Sequence, residues 1–341
     1  MIDWLNLIIL LLRLPRLLFR LMESPVITIV IPFKNRAEYL YDTLRSVANQ
    51  PYRPLSIILV DNDSEDDSWD VCQRFKAEHA TDTDLNVVLT REMKRGAAAA
   101  RNKGLSLCQT EFVYFFDSDD WFDEDFLFSV LPHLHADIDL LAVPTRMVID
   151  GKEHVRQFYN STSPVLQVLC AHLNTQSMVF RTEFLRKIGG WNETSLVWND
   201  YELGIRVLMA QPRMRWLTER PFHRILIHDD SITGANFSSR VHALCHTLAL
   251  IASYSRGNDS LHRAVYYRFA IFYGLLKREY RRNVQHDKSA VLFCHNTMQE
   301  TFRSVTGVDR CLAWFLSTYT AWGGRGTWRI ALMFVKAKRQ N

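Results

Sequence analysis

Long hydrophobic runs are missing from this sequence. The opening stretch from Trp4 to Leu12 carries no charge, but it is far shorter than the roughly 20 residues needed to cross a bilayer as a helix. A secretory signal places its basic residues ahead of the apolar run. Here Arg13, Arg16 and Arg20 follow it, and no small-residue cleavage site stands out. Cysteine is sparse. Cys72, Cys108, Cys170, Cys245, Cys294 and Cys311 lie far apart, with no CxxC pair and no zinc spacing, so they read as reduced core thiols in a reducing compartment. Tandem repeats and low-complexity tracts are absent too. So is any recognition motif that would turn the basic residues into a nucleic-acid interface, and no nucleic-acid partner is expected.

What remains is an ordinary globular composition, 48% hydrophobic and 23% charged over 341 residues, enough for one large domain or two smaller ones. The charge is unevenly spread. Residues 240–341 hold 16 Lys and Arg against 5 Asp and Glu, a net of +11, and residues 1–239 carry a net of −7.

The acidic part contains two strand-like runs that end in carboxylates. Phe112-Val113-Tyr114-Phe115-Phe116 runs into Asp117-Ser118-Asp119-Asp120, and Ser56-Ile57-Ile58-Leu59-Val60 runs into Asp61-Asn62-Asp63. Uninterrupted apolar runs of this length suit strands of a parallel sheet buried on both faces. Carboxylates packed at one strand end repel one another. A divalent cation on a diphosphate relieves that repulsion with hard oxygen ligands; a solvated acidic turn that caps the next helix is the structural alternative. Ahead of the second run lies Val26-Ile27-Thr28-Ile29-Val30-Ile31, then a helical pattern over Tyr39–Val47. Strand, helix and strand make a βαβ unit with a parallel sheet. Ligands of such sheets sit outside the strands' carboxyl ends, so Asp61 and Asp117 are expected to face one crevice.

In order along residues 26 to 235, several segments resemble family 2 glycosyltransferases. Ile31-Pro32-Phe33-Lys34-Asn35-Arg36 is similar to the family's first nucleotide-binding strand, and Val60-Asp61-Asn62-Asp63-Ser64 to its second. Arg95-Gly96-Ala97-Ala98-Ala99-Ala100-Arg101-Asn102-Lys103-Gly104 resembles its small-residue helix beside the donor. Phe116-Asp117-Ser118-Asp119-Asp120 resembles its metal-binding strand end. Ile188-Gly189-Gly190-Trp191-Asn192-Glu193 and Asn199-Asp200-Tyr201-Glu202-Leu203 resemble the acceptor side, and Leu226-Ile227-His228-Asp229-Asp230 its late histidine loop. Two positions depart from the pattern. Asn199 stands where the family usually has Glu, and Asn62-Asp63 replaces the commoner Asp-Gly.

The resemblance implies an α/β fold of the GT-A type: a Rossmann-like, mostly parallel sheet flanked by helices, here with a C-terminal helical extension. It implies an inverting, metal-dependent glycosyltransferase that moves a sugar from a nucleotide-diphosphate donor to a lipid-linked or surface-glycan acceptor. Asp119, Asp117 and His228 are the implied ligands of Mn²⁺ or Mg²⁺. Pro32, Asp61, Arg95, Arg101 and Asp117 line the donor, and Asp200 is the general base. With one such base and no evident carboxylate nucleophile, a single in-line displacement is expected.

The expected division is a membrane-proximal amphipathic helix over 1–24, the glycosyltransferase domain over 25–239 and a basic helical region over 240–341. Trp4 and its leucines, followed by arginines, suit an interfacial anchor. The aromatic and basic tail suits an anionic membrane surface, which places the protein peripherally on the cytoplasmic face of the cell membrane. The alternative for both segments is packing against the protein's own body. Two rival functions are an inactive glycan-assembly subunit and a haloacid-dehalogenase-type phosphatase. The second lacks support, since Asp119 is followed by Asp120-Trp121.

Overall fold

The computed structural model describes residues 26–149, 151–226, 236–282, 287–305 and 307–337. The expected helix over 1–24 and His228 lie outside them. The described chain divides into two units: one takes residues up to Arg156 with Thr175–Trp191 and Pro212–Leu226, the other Gln157–Asn174, Asn192–Gln211 and the C-terminal part.

The first unit grows from strand β1 (Ile27–Phe33), in which every residue is buried. Its β-branched run suits a central strand covered on both faces. Helix α1 (Ala37–Ala48) returns the chain to β2 (Leu55–Asp61), and α2 (Ser68–Glu78) leads to β3 (Leu85–Arg91). Helix α3 (Ala97–Leu107) then crosses to β4 (Phe112–Phe115) on the other side of β1. These four strands are parallel, in the order β3-β2-β1-β4. Pro32 sits in β1 beyond the point where β4 pairing ends at Val30 and Phe115, so its missing N–H breaks no ladder on that side.

The sheet continues as β8 (Met178–Arg181), β5 (Leu140–Ala142) and β9 (Met214–Trp216), with β8 antiparallel to both neighbours. A second sheet has the order β10-β6-β7, built from Phe222–Leu226, Thr145–Ile149 and Lys152–Val155.

The second unit is helical. It contains α5 (Pro164–Cys170), α7 (Asn199–Met209), α8 (Val241–Tyr254), α9 (Asp259–Arg282), α10 (Lys288–Thr301), α11 (Gly307–Ala321) and α12 (Thr327–Ala337); the short α4 (Phe126–Val130) and α6 (Thr182–Lys187) belong to the first unit. Its core gathers Leu248, Ile251, Val265, Phe269, Phe272 and Leu316 around α9. Among the described residues no helix is long and apolar enough to cross a membrane.

The small residues of α3 have a packing cause. A Cβ added at Gly104 would meet a Val30 methyl at 2.3 Å, so only glycine lets this helix sit directly on β1. Gly104→Val is expected to lower stability by about 1–3 kcal/mol, the usual range for overpacking a core. Denaturant titration of the two proteins checks this; an unchanged midpoint would show that α3 can move off the sheet at no cost.

Candidate donor and acceptor site

Because β2, β1 and β4 are parallel neighbours, their carboxyl ends open on one edge of the first unit. Asp61, the last residue of β2, is 1% exposed. It accepts a hydrogen bond from the Ser64 N–H at 3.0 Å and pairs with Arg91 Nε at 3.3 Å. The Arg91 guanidinium also lies 4.0 Å over the Trp69 ring. Asn62 donates to the Glu92 and Lys94 carbonyls, and its Oδ1 accepts from the Gly96 N–H. Asp63 takes φ +63°, the left-handed conformation for which glycine is otherwise the usual choice. The departure from Asp-Gly therefore keeps the turn. Lys34 and Arg95 each lie 4.0 Å from the Asp63 carboxylate, and Arg95 is highly exposed.

At the end of β4 the three carboxylates are handled separately. Arg101, buried on α3, donates to Asp117 Oδ1 at 2.7 Å and lies 4.5 Å over the Trp191 ring. Arg36, just before α1, donates from Nε to Asp119 Oδ2 at 3.2 Å. Asp120 is buried; its carboxylate accepts from the Leu226 N–H at 2.7 Å and from Gln176 Nε2. Burial, reinforced by the charges of Asp117 and Asp119, pushes the Asp120 carboxyl well above the usual carboxylate range, against the pull of those two donors.

The backbone of this turn is clamped from α1. The Thr43 hydroxyl lies 3.1 and 2.9 Å from the Ser118 and Asp120 carbonyls. Ser46 Oγ accepts from the Phe122 N–H, and Gln50 bonds the Asp123 carbonyl and the Leu127 N–H. Thr43 and Ser46 share a face of α1, Gln50 follows just past its end, and all three are buried.

Behind the turn, Asp123 takes two bonds from Arg146 Nη2, at 2.7 and 2.9 Å, and one from Arg220. His223 accepts from the Asp123 N–H at 3.3 Å. It occupies a bulge in β10 with φ +58° and packs among Phe122, Phe126 and Phe116. Burial, then the nearby Arg146 and Arg220 charges, holds its imidazole well below the ordinary histidine value.

Asp200 belongs to the second unit and stands in the first turn of α7, where its Oδ1 accepts from the Tyr201 N–H at 2.8 Å. It is half-buried and forms no ion pair among the described residues. It does not cap the helix: Trp198 holds that position, at φ +54°. Asn199 begins the helix. Glu202, fully buried, is held by Arg206 at 2.6 Å. Arg268 stacks on both Trp198 and Tyr201.

The first unit thus brings together Pro32, Asp61, Arg95, Arg101, Asp117 and Asp119 of the expected residues. Sequence reasoning passed over Arg36, Arg91, Asp120 and the Thr43–Gln50 clamp. The available signal was a run of small polar residues at helical spacing in an otherwise apolar helix face, together with an arginine at the end of the first strand motif. Among the described residues no three His, Cys, Asp or Glu side chains converge as a metal cage. Asp117 and Asp119, flanking Ser118 just beyond β4, nevertheless have the donor chemistry by which Mg²⁺ is commonly held, one or two carboxylates plus substrate phosphates.

This parallel sheet with acidic strand ends and flanking helices is the GT-A architecture of nucleotide-sugar-dependent enzymes. Residues 28–191 match the family described as Glycosyl transferase family 2, and the chain carries a domain of that family. The Escherichia coli UDP-Glc:alpha-D-GlcNAc-diphosphoundecaprenol beta-1,3-glucosyltransferase WfaP is 30% identical over 96 residues, which are 28% of this chain and 36% of that protein. Staphylococcus aureus TarS 1-349 in complex with UDP-GlcNAc superposes with a TM-score of 0.65 at 15% identity, covering 93% of this chain and 92% of that one. The mannosyltransferase PcManGT of Pyrobaculum calidifontis, in complex with GDP-Man and Mn²⁺, gives 0.54 at 16%, covering 96% and 93%. These two likenesses establish the fold. The matches span at most half the length of the curated relatives.

The buried, neutral His223 adds an acid-sensitive contribution to the stability of the first unit. Its folded pKa lies below 6.5, so the unfolded chain takes up a proton first as the pH falls. The His223 contribution to stability is full above about pH 6.5 and declines below it by roughly 1.4 kcal/mol per pH unit, until the folded imidazole itself titrates, while the raised Asp120 carboxyl acts in the opposite sense. In His223→Phe the thermal midpoint is expected to vary less between pH 7 and 5 than in the parent. Equal slopes would mean that the buried imidazole contributes nothing to the linkage.

Proposed function

We propose that this protein is an inverting glycosyltransferase that moves a sugar from a nucleotide-diphosphate donor to a glycan or lipid-linked acceptor. The observation that carries this reading is the shared strand edge: Asp61 on one side of β1, and Asp117 with Asp119 on the other. The distance along β2, β1 and β4 suits a donor lying across the edge, with its nucleobase toward Asp61 and its diphosphate toward Asp117 and Asp119. Arg95, exposed beside the same edge, is suited to phosphate oxygens. Pro32 stiffens the strand end beneath them.

Mn²⁺ or Mg²⁺ bound by Asp119 and Asp117 supplies positive charge against the leaving diphosphate. In the protein alone, Arg36 and Arg101 balance those carboxylates and keep them positioned. Asp200 takes the proton from the acceptor hydroxyl. The lack of an ion-pair partner among the described residues leaves it available as a base. A single displacement with this base inverts the anomeric carbon. Support for a lipid-linked acceptor comes from the diphosphoundecaprenol named for WfaP. The positive C-terminal part supports a peripheral position on an anionic membrane, at its inner face.

Two substitutions separate the roles. Asp119→Asn is expected to abolish transfer and weaken Mn²⁺-dependent nucleotide binding, while circular dichroism stays native; undiminished transfer would sink the proposed metal site. Asp200→Asn is expected to lower turnover by about 10²–10⁴-fold, the range for a lost general base, with nucleotide affinity nearly unchanged. Isothermal titration with a nucleotide diphosphate, run beside turnover, checks this. A collapse of affinity at normal turnover per bound donor would move Asp200 to the nucleotide site.

A further inference from the structure

Helix α11 is apolar on two sides. Its inner side, with Ala313, Leu316 and Thr320, packs into the helical core. The opposite side presents Val308, Phe315 and Tyr319, with Trp314 flanking and Trp322 just past the helix end. Trp314 is 69% exposed and Trp322 77%. The Phe315 ring stacks on Tyr319 at 5.9 Å and meets Phe334 of α12 at 6.4 Å, so the strip continues onto a helix whose Met333 is 62% exposed. An amphipathic helix of a monomer keeps polar residues on its outer side. Bulky apolar side chains exposed this far and this close together mark an interaction surface.

The charges around the strip identify its occupant. From 307 to 337 the chain has one acidic residue, Asp309. That residue is buried and paired with Arg263 and Tyr267. Every exposed charge on these helices and the turn between them is therefore positive: Arg310, Arg325, Arg329 and Lys336. Arg281, at the end of α9, lies 4.5 Å over the Trp322 ring. A second copy of this chain would set like charges against one another around the rim. An anionic lipid surface matches both features, with tryptophans at headgroup depth and guanidiniums on the phosphates.

We propose that the outer face of α11 and α12 is the surface by which the protein docks on anionic membranes, with Trp314, Phe315, Trp322 and Met333 entering the interface. The inference rests on the membrane reading above and narrows it to one face. Docking there holds the helical unit, which carries Asp200, at the surface where a lipid-linked acceptor resides.

The test uses full-length protein with phosphatidylglycerol vesicles whose acyl chains are brominated, because bromine quenches only tryptophans that reach the bilayer. The parent is expected to sediment with these vesicles and lose fluorescence, and to bind phosphatidylcholine vesicles poorly. Trp314→Ser/Trp322→Ser, shown folded by circular dichroism, is expected to bind about tenfold more weakly or worse, with most of the quenching gone. Arg325→Gln/Arg329→Gln is expected to lose the salt-sensitive part of binding. Parent-like binding and quenching in the tryptophan variant would overturn this face while leaving membrane association standing. Failure of the parent to bind any vesicle would overturn the membrane reading itself. A doubled mass by light scattering, abolished by the same tryptophan substitutions, would instead make the strip an interface between copies.

Discussion

Like charges held together on one sheet edge are the constraint around which the first unit is organised. Asp61, Asp117, Asp119 and Asp120 end two strands that flank a common neighbour, and unscreened carboxylates at such spacing oppose folding. Three are paired with arginines, and the fourth is dealt with by burial. Arg91 pairs with Asp61, Arg101 with Asp117 and Arg36 with Asp119. Asp120 is driven toward its neutral form by burial and by its two acidic neighbours. The turn is then kept from splaying by hydroxyls on α1 and by the Gln50 amide just past its end. Under the proposed function, carboxylates kept together by three arginines and by the α1 segment suit a cationic or phosphate-bearing ligand.

Strain lies close to the same residues. Ala171 and Gln211 apart, the described non-glycine residues with positive φ are Asn35, Asp63, Trp198 and His223. They stand after β1, after β2, before α7 and within β10, next to the candidate donor edge or the candidate base. Such conformations cost free energy and persist only where the surroundings enforce them, a pattern common at functional sites. Asp63 shows how a departure from a family pattern can be conservative. The turn demands a left-handed residue, and aspartate is among the few side chains that accept it.

The helical unit draws on segments from the middle of the chain as well as its C-terminal part. It carries the proposed base, on α7, and the apolar strip of α11 and α12. Its aromatic content therefore divides by position. Tyr266, Tyr267, Phe269 and Phe272 are core, whereas Trp314 and Trp322 face outward. In composition the two groups look the same.

Much of this was legible before any coordinates. Apolar runs of five or six residues, punctuated by helical spacing, define parallel strands by local periodicity, and the observed bounds of β1, β2 and β4 differ from the sequence pattern by at most two residues. Parallel pairing then brings Asp61 and Asp117 to one edge by topology. The sequence could not assign partners. The resemblance set Arg101 beside the donor, and only the fold shows its guanidinium buried, on Asp117 and over Trp191. Asp120 was one of three similar acids until burial set it apart. The tail's apolar residues could be core or docking face until helix rotation divided them. Strand identity and order follow from short-range pattern and chain connectivity, which the sequence by itself determines. Which charge meets which, and which side of a helix sees water, depends on packing between distant segments, and only the tertiary structure decides that.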